Sequence, residues 1–176
     1  MRRPFGTFIQ TAYLVRDLDA AIDYWTGVMG AGPFFVGDFE PHDQVWRGKP
    51  TGAHLTTALG GFKDMHIELV CQNNDAPSAF NDGRHRPATA IHHLHAVEED
   101  YDLALARYAA GGCTPAQTSR HPIIGRIAMI DALDTMGAYI EVVDLTPTCL
   151  AINEAIWKSH DGWDGSDPRR DFHALF

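Results

Sequence analysis

The sequence predicts an α+β fold built from two βαβββ modules, and three observations carry that expectation. The chain nearly repeats itself, each half sets apolar strand-like runs around one amphipathic helical stretch, and each half closes on an apolar run with Ile-Glu at its centre. In the first half, residues 8–15 form a β-branched and aromatic run that suits a strand. Arg16-Asp17-Leu18-Asp19 stops it, and Asp17 or Asp19 can cap a helix whose apolar positions Ala20, Ala21, Tyr24, Trp25 and Val28 keep helical spacing until Gly30 and Gly32. The second half repeats this order. Residues 93–97 read as a strand, Glu99-Asp100-Tyr101-Asp102 as a cap, and Leu103, Leu105, Ala106, Tyr108 and Ala109 as a helix closed by Gly111-Gly112. Aligned without a gap, Asp17-Leu18-Asp19 falls on Asp100-Tyr101-Asp102 at an offset of 83, and Gln10 then falls on His93.

The closing strands are residues 65–70 and 138–143, and between helix and closing strand each half has room for two short strands, 34–36 with 54–59 and 114–118 with 126–131. Residues 73–87, with two Pro, a Gly and several Asn and Asp, read as a linker. One domain is expected over 1–150, with modules at about 7–73 and 88–146, followed by a helical and loop extension over 151–176. In that extension Ile152, Ile156 and Trp157 can form one face of a short helix, and 162–168 is loop. It reads either as a lid or docking segment or as a packing extension.

Composition narrows the partners. Of 176 residues, 45% are hydrophobic and 21% charged, which is ordinary for a folding domain. Fourteen Lys and Arg against twenty-three Asp and Glu give a net charge of −9, which disfavours nucleic acid and anionic membrane as partners. No apolar signal core follows Met1-Arg2-Arg3, and charges interrupt every apolar run well short of about 18 residues, so a cytoplasmic location is the expectation. Cys71, Cys113 and Cys149 are too widely spaced for a disulfide framework or structural zinc site and are expected to be small buried hydrophobes.

Side chains alternate along a strand, so His66 shares a face with Glu68, Tyr139 with Glu141, and His93 with His95. A Glu amid apolar strand residues is costly to bury unless paired or metal-bound, and two at matching repeat positions call for a shared explanation. If the modules face each other about a pseudo-twofold axis, Gln10, Glu68, His93 and Glu141 converge and offer one imidazole nitrogen and three oxygens to a divalent cation such as Zn²⁺, Ni²⁺, Co²⁺, Mn²⁺ or Fe²⁺. Plainer readings stand beside this one. Gln10 can be a strand residue bonded within the sheet, the two Glu edge-strand charges, His66 a polar position near Glu68, and His95 packed rather than a second acid or base. His92 and His93 are adjacent, so alternation lets only one face the cup, and the repeat selects His93. Phe34, Phe35, Trp46, Phe62 and Met129 are expected in the core, and Arg84-His85-Arg86 is a small basic cluster that reads as solvated loop rather than anion site.

The fragments Tyr13-Leu14-Val15-Arg16-Asp17-Leu18-Asp19-Ala20-Ala21, Ile67-Glu68-Leu69, Ile91-His92-His93-Leu94 and Tyr139-Ile140-Glu141-Val142, in this order and spacing, resemble the vicinal oxygen chelate superfamily over roughly residues 8–145. The resemblance implies a cupped mixed sheet, a homodimer, and a divalent metal on Gln10, Glu68, His93 and Glu141, a set similar to that of glyoxalase I. It also implies a metal-dependent isomerase, epimerase or glyoxalase-type lyase that chelates two neighbouring oxygens of a small-molecule substrate and moves a proton. Glu141 or Glu68 would then serve as base, with His95 as a second acid or base. Two alternatives stay open: a metal-free ligand-binding or resistance protein, and an extradiol-type dioxygenase. The latter is disfavoured because only His93 among the histidines sits at a ligand position. A methylmalonyl-CoA-epimerase-like reaction is a subclass of the first reading and would need Arg84 and Arg86 to meet the nucleotide.

Overall fold

The computed structural model describes residues 7–84 and 90–176. His85 and Arg86 of the basic cluster lie outside the described residues. The first module runs β1 (Thr7–Leu14), α1 (Leu18–Gly27), β2 (Phe34–Phe39), a hairpin of β3 (His42–Trp46) and β4 (Lys49–Pro50), β5 (Leu55–Phe62) and β6 (Met65–Gln72). The second runs β7 (Ala90–Val97), α2 (Tyr101–Ala110), β8 (Pro115–His121), β9 (Gly125–Ala132), the short α3 (Leu133–Met136) and β10 (Ala138–Val143), and the tail adds α4 (Pro147–His160) and β11 (Arg169–Asp171). Both long module helices start as the repeat implies. The Asp17 side chain accepts from Ala20 N at 2.9 Å and the Asp100 side chain from Leu103 N at 2.9 Å, so each satisfies an amide the helix itself cannot.

All strands join one sheet in the order β11-β2-β5-β6-β1-β7-β10-β9-β8-β3-β4. The modules meet where β1 and β7 pair antiparallel, and each closing strand lies parallel to the first strand of its own module, β6 on β1 and β10 on β7. The chain passes from β2 to β3 through Glu40 and Pro41 alone, yet these strands lie eight positions apart in the sheet. A flat sheet would separate them by roughly 40 Å at about 4.8 Å per strand, whereas two residues reach about 11 Å. The sheet therefore curls almost into a barrel.

Curling gives the sheet an outside and an inside. Outside, α1 packs Ile22 against Phe34, Ile67 and Leu69, and α2 packs Tyr101 and Ala104 against Ile130 and Ile140. Inside, one apolar cluster forms around Leu55, Val70, Phe80, Met129 and Tyr139, and a second around Phe35, Phe39, Ile152, Ile156 and Phe172. The second cluster is supplied largely by the tail. The helix expected around Ile152 is fourteen residues long, begins at Pro147 with a Thr146 cap, and roofs the cup; the boundary drawn at residue 150 falls inside it. His160 at its end is held by Gly32 O at 2.7 Å and by Lys63 N at 3.2 Å, while β11 pairs with β2 and secures the chain beyond it.

Several sequence-based expectations are corrected here. The 73–87 stretch is not a bare linker, because it contains a 3-10 turn (Ala79–Asn81) whose Ala79 and Phe80 are buried against the cup. The hairpin β3–β4 and strand β11 were not expected, being too short to show alternation. Only Cys149 of the three free cysteines is buried, since Cys71 and Cys113 sit at element ends where the sheet stops covering them. Trp46 and Phe62 are half-buried beside the clusters, while Phe34, Phe35 and Met129 are core.

Gly61 marks how closely α4 seats on the sheet. A Cβ there would collide with the His160 side chain and meet Ile156 O at 3.3 Å. Gly61→Ala should lower the unfolding free energy in urea by about 1–3 kcal/mol through overpacking; a change of only a few tenths would show that the helix does not rest there.

Candidate metal and acid-base site

The four central strands, β6, β1, β7 and β10, carry every residue that the repeat singled out. Their registers make two neighbouring rows: Glu68, Ala12, His93 and Tyr139 in one, and His66, Gln10, His95 and Glu141 in the other. Ala12 is completely buried and has only a methyl group between Glu68 and His93. The two side chains therefore close over it, with His93 Nε2 3.0 Å from Glu68 Oε2. Glu141 Oε2 lies 3.6 Å from the same nitrogen and 3.2 Å from His95 Nδ1, and Gln10 Nε2 donates to Glu68 Oε2 at 2.9 Å. Gln10, Glu68, His93, His95 and Glu141 thus share one wall of a single cavity.

A β-bulge lets both adjacent histidines be buried, while of the two it is His93 that lines the cavity. Ala12 pairs with His93 while Tyr13 pairs with Ile91, so the extra residue His92 leaves the regular alternation. Both rings are buried, their Nδ1 atoms 2.9 Å apart, and His92 Nε2 lies 3.0 Å from Ala79 O while its ring stacks on Phe80. A carbonyl only accepts, so His92 Nε2 carries a proton; in a neutral His92 ring, Nδ1 is then the acceptor and His93 Nδ1–H the donor. This hydrogen-bond chain directs His93 Nε2 at the glutamates. His66 is also buried, but stacks on Trp157 of α4 instead of joining the cluster.

The electrostatics follow from placing two carboxylates around one imidazole. Burial alone would push His93 down, but Glu141 and then Glu68 outweigh it and raise its pKa to about 10. Glu141 is held well below the usual carboxylate range by His93 and His95, against the opposing effect of burial. Burial pushes the Cys149 thiol up to about 11, which removes it as a thiolate nucleophile near neutral pH.

The donor set fits a divalent ion in its chemistry: one imidazole nitrogen, two carboxylates and a carboxamide oxygen suit a borderline or hard cation. His93 Nε2 is buried and faces two carboxylates without meeting hydrogen-bond geometry to either, as expected of ligands aimed at a common point. Among the described residues, no three His, Cys, Asp or Glu side chains are already gathered as a cage, because the cluster is closed on its own ion pairs.

The cavity measures about 90 Å³. Its remaining walls are mostly apolar, including Phe39, Leu55, Phe80 and Met129, with Ile152 and Phe172 from the tail. Polar residues that the sequence reading missed also line it: Gln117, Ser119 and His121 on β8, and Asn153 on α4. Polar alternation at 117, 119 and 121 was the available signal, but the expected strand ended at 118, short of His121. Arg84 lies outside the cavity, engaged by Asp82 at 2.9 Å, Asp131 at 2.6 Å and the Tyr139 hydroxyl at 3.0 Å. Among the described residues, no helix is long and apolar enough to cross a membrane.

No curated protein matches the chain in sequence. Among solved structures, methylmalonyl-CoA epimerase from Mycobacterium tuberculosis is similar with a TM-score of 0.58 and 20% identity, over 86% of this chain and 97% of the other. Methylmalonyl-CoA epimerase from Streptomyces coelicolor, in complex with 2-nitronate-propionyl-CoA, gives 0.52 and 17% over 82% and 98%. A 4-hydroxymandelate synthase variant, also from Streptomyces coelicolor, gives 0.57 and 13% over 83% of this chain and 40% of that one. At these identities the likeness is one of fold. A family model matches residues 9–128, a span that includes Gln10, Glu68 and His93 and ends before Glu141. The chain belongs to the glyoxalase/bleomycin resistance protein/dioxygenase superfamily, the vicinal oxygen chelate proteins.

Proposed function

We propose that this protein is a metal-dependent enzyme that moves a proton next to a chelated pair of oxygens on a small substrate, an isomerase, an epimerase or a glyoxalase-type lyase. The observation that carries this reading is His93 Nε2, buried between Glu68 and Glu141 without hydrogen-bond geometry to either. Gln10, Glu68, His93 and Glu141 would hold the ion. When bound, a divalent ion supplies Lewis acidity that stabilises negative charge on a substrate oxygen as a neighbouring C–H bond breaks. The chain's own residues do the rest. Gln10 orients Glu68, the His92 ring orients His93, and the apolar walls keep water from competing for the proton. Glu141 takes the proton on Oε2, and His95, 3.2 Å away, holds that oxygen and can pass the proton on.

Substrate size is read from the roof. A whole coenzyme A ester exceeds about 90 Å³, so only its acyl end could enter the cavity, and Arg84, already committed to Asp82 and Asp131, is not free to meet the nucleotide. The fold likeness to the epimerases supports isomerase chemistry, and the small cavity supports a small reacting group at the metal ligands. A second reading, a metal-free binding protein, is favoured by the ion pairs that His93 and His95 make with the two glutamates and by the lack of a ready-gathered cage among the described residues.

Metal titration separates the two. Protein stripped with a chelator should take up about one Zn²⁺, Co²⁺ or Mn²⁺ per chain and melt at a higher temperature; uptake below about a tenth of an equivalent would leave only the metal-free reading. Because the ion must displace a proton from His93, whose pKa is about 10, affinity should rise nearly tenfold per pH unit between about 7 and 9. A pH-independent affinity would remove His93 as a ligand. In the metal-free protein, the charged His93 stabilises the fold fully below its ordinary value of 6.5, and this is lost as pH rises through about 10. The melting temperature of the stripped protein should therefore fall across that window more than that of its His93→Gln variant. Glu141→Gln should fold yet lose solvent-deuterium exchange into the substrate, by on the order of 100-fold or more; retained exchange would assign the base to Glu68.

A further inference from the structure

The cavity has a second polar wall that the metal and proton chemistry does not use. Gln117, Ser119 and His121 occupy alternate positions of β8 and line the cavity, and Asn153 joins them from the roof helix. Each keeps hydrogen-bonding capacity that the protein leaves unfilled. Gln117 is 4% exposed, and its Oε1 accepts from Ala79 N at 2.7 Å, so the carboxamide nitrogen has no protein partner among the described residues. His121 Nδ1 accepts from Ile123 N at 3.1 Å and Ile124 N at 3.4 Å. In the neutral ring the proton then sits on Nε2, and burial, against a weaker pull from Glu141, lowers the pKa to about 4 and keeps the ring neutral. Asn153 is 9% exposed on the buried face of α4, and its one hydrogen bond among the described residues is a long donation to Cys149 Sγ at 3.8 Å. Spare hydrogen-bonding capacity on several side chains around one cavity marks a place where a ligand group can be held.

The sheet register gives the spacing. Gln117 pairs with Met129, which pairs with Glu141, so the two polar walls stand two strands apart, about 10 Å along the sheet. Met129 on β9 lies between them, and Leu55 and Phe80 add apolar lining elsewhere in the cavity. Among the described residues no Lys or Arg lines the cavity, so a carboxylate at the second wall would lack a countercharge there, whereas a neutral acceptor matches the donors. A volume of about 90 Å³ is smaller than the roughly 150 Å³ of an engineered cavity that takes benzene, and it admits only a short molecule.

We propose that Gln117, Ser119, His121 and Asn153 form a subsite for a neutral hydrogen-bond acceptor, a hydroxyl or carbonyl oxygen, at the far end of a small chelating substrate. This rests on the reading above for the near end, where the substrate's paired oxygens meet the metal ligands. The test compares 3-hydroxypyruvate with 2-oxobutanoate, which have equal numbers of non-hydrogen atoms and differ in carrying a hydroxyl or a methyl at the far end. Calorimetry on the Co²⁺-loaded protein should show 3-hydroxypyruvate binding roughly 3- to 10-fold more tightly, the range of one hydrogen bond. Asn153→Leu, Gln117→Leu and the minimal Ser119→Ala should each bring the ratio toward one while leaving 2-oxobutanoate affinity within about twofold. Equal affinities in the unaltered protein, or a ratio that survives all three substitutions, would overturn the subsite. If Co²⁺ is not taken up, ligand-observed NMR on the metal-free protein gives the same comparison. A preference that persists there supports the subsite while removing chelation, and no preference overturns the subsite itself.

Discussion

Two carboxylates on neighbouring rows of one sheet, Glu141 buried and Glu68 nearly so, need positive charge between them, and much of this structure follows from that requirement. Glu68 and Glu141 come from different modules, and both reach His93 Nε2 inside a cup that water barely enters. Like charges at this range in a poorly screened interior repel strongly, so a proton or a cation at their meeting point stabilises the fold. The protein provides for the proton through His93, raised to about 10 by the pair. Under the proposed function an ion replaces that proton, so the same electrostatic demand that His93 meets in the metal-free protein also attracts the metal.

That meeting point exists because the modules pair inside one chain. Antiparallel pairing of β1 with β7 puts Gln10 opposite His95 and Ala12 opposite His93, and the parallel closing strands bring in Glu68 and Glu141 from either side. These contacts were legible in the sequence to the extent that the repeat was. Strand, Asp cap, helix and closing Ile-Glu recur with little change, because each module must satisfy the same helix start and bury the same strand faces. Asp17 and Asp100 were readable as caps because capping is a local interaction.

What stayed hidden was non-local. A bulge changes the facing of His92 without any mark in composition, since it arises from the register between two strands. The two residues of β4 and three of β11 are too few to show a period, and their pairing partners, β3 and β2, are chosen by the curl of the sheet. Phe80 lay in a stretch whose Pro, Gly and Asn content reads as linker, yet it enters the cup because His92 offers a flat ring to stack on. The tail was legible as a helix face at Ile152 and Ile156, but its role as a roof depends on His160 reaching Gly32 and Lys63 far away in sequence.

The repeat is most informative where it fails. At the offset that matches Gln10 to His93, His95 falls on Ala12, so on the paired first strands only the second module carries a second imidazole facing the cavity. The small residue has a consequence on its own side, because it lets Glu68 and His93 close directly over it. Glu68 is thereby fixed between Gln10 and His93, two groups that orient it but offer no separate path for a proton. Glu141 has His95 beside it as well as His93, and His95 borders the cavity where a substrate would lie. A base must both bind a proton and release it, and release needs an acceptor that is not itself a metal ligand. In the proposed reaction this asymmetry favours Glu141 over Glu68, with the first module tuned for holding and the second for transfer.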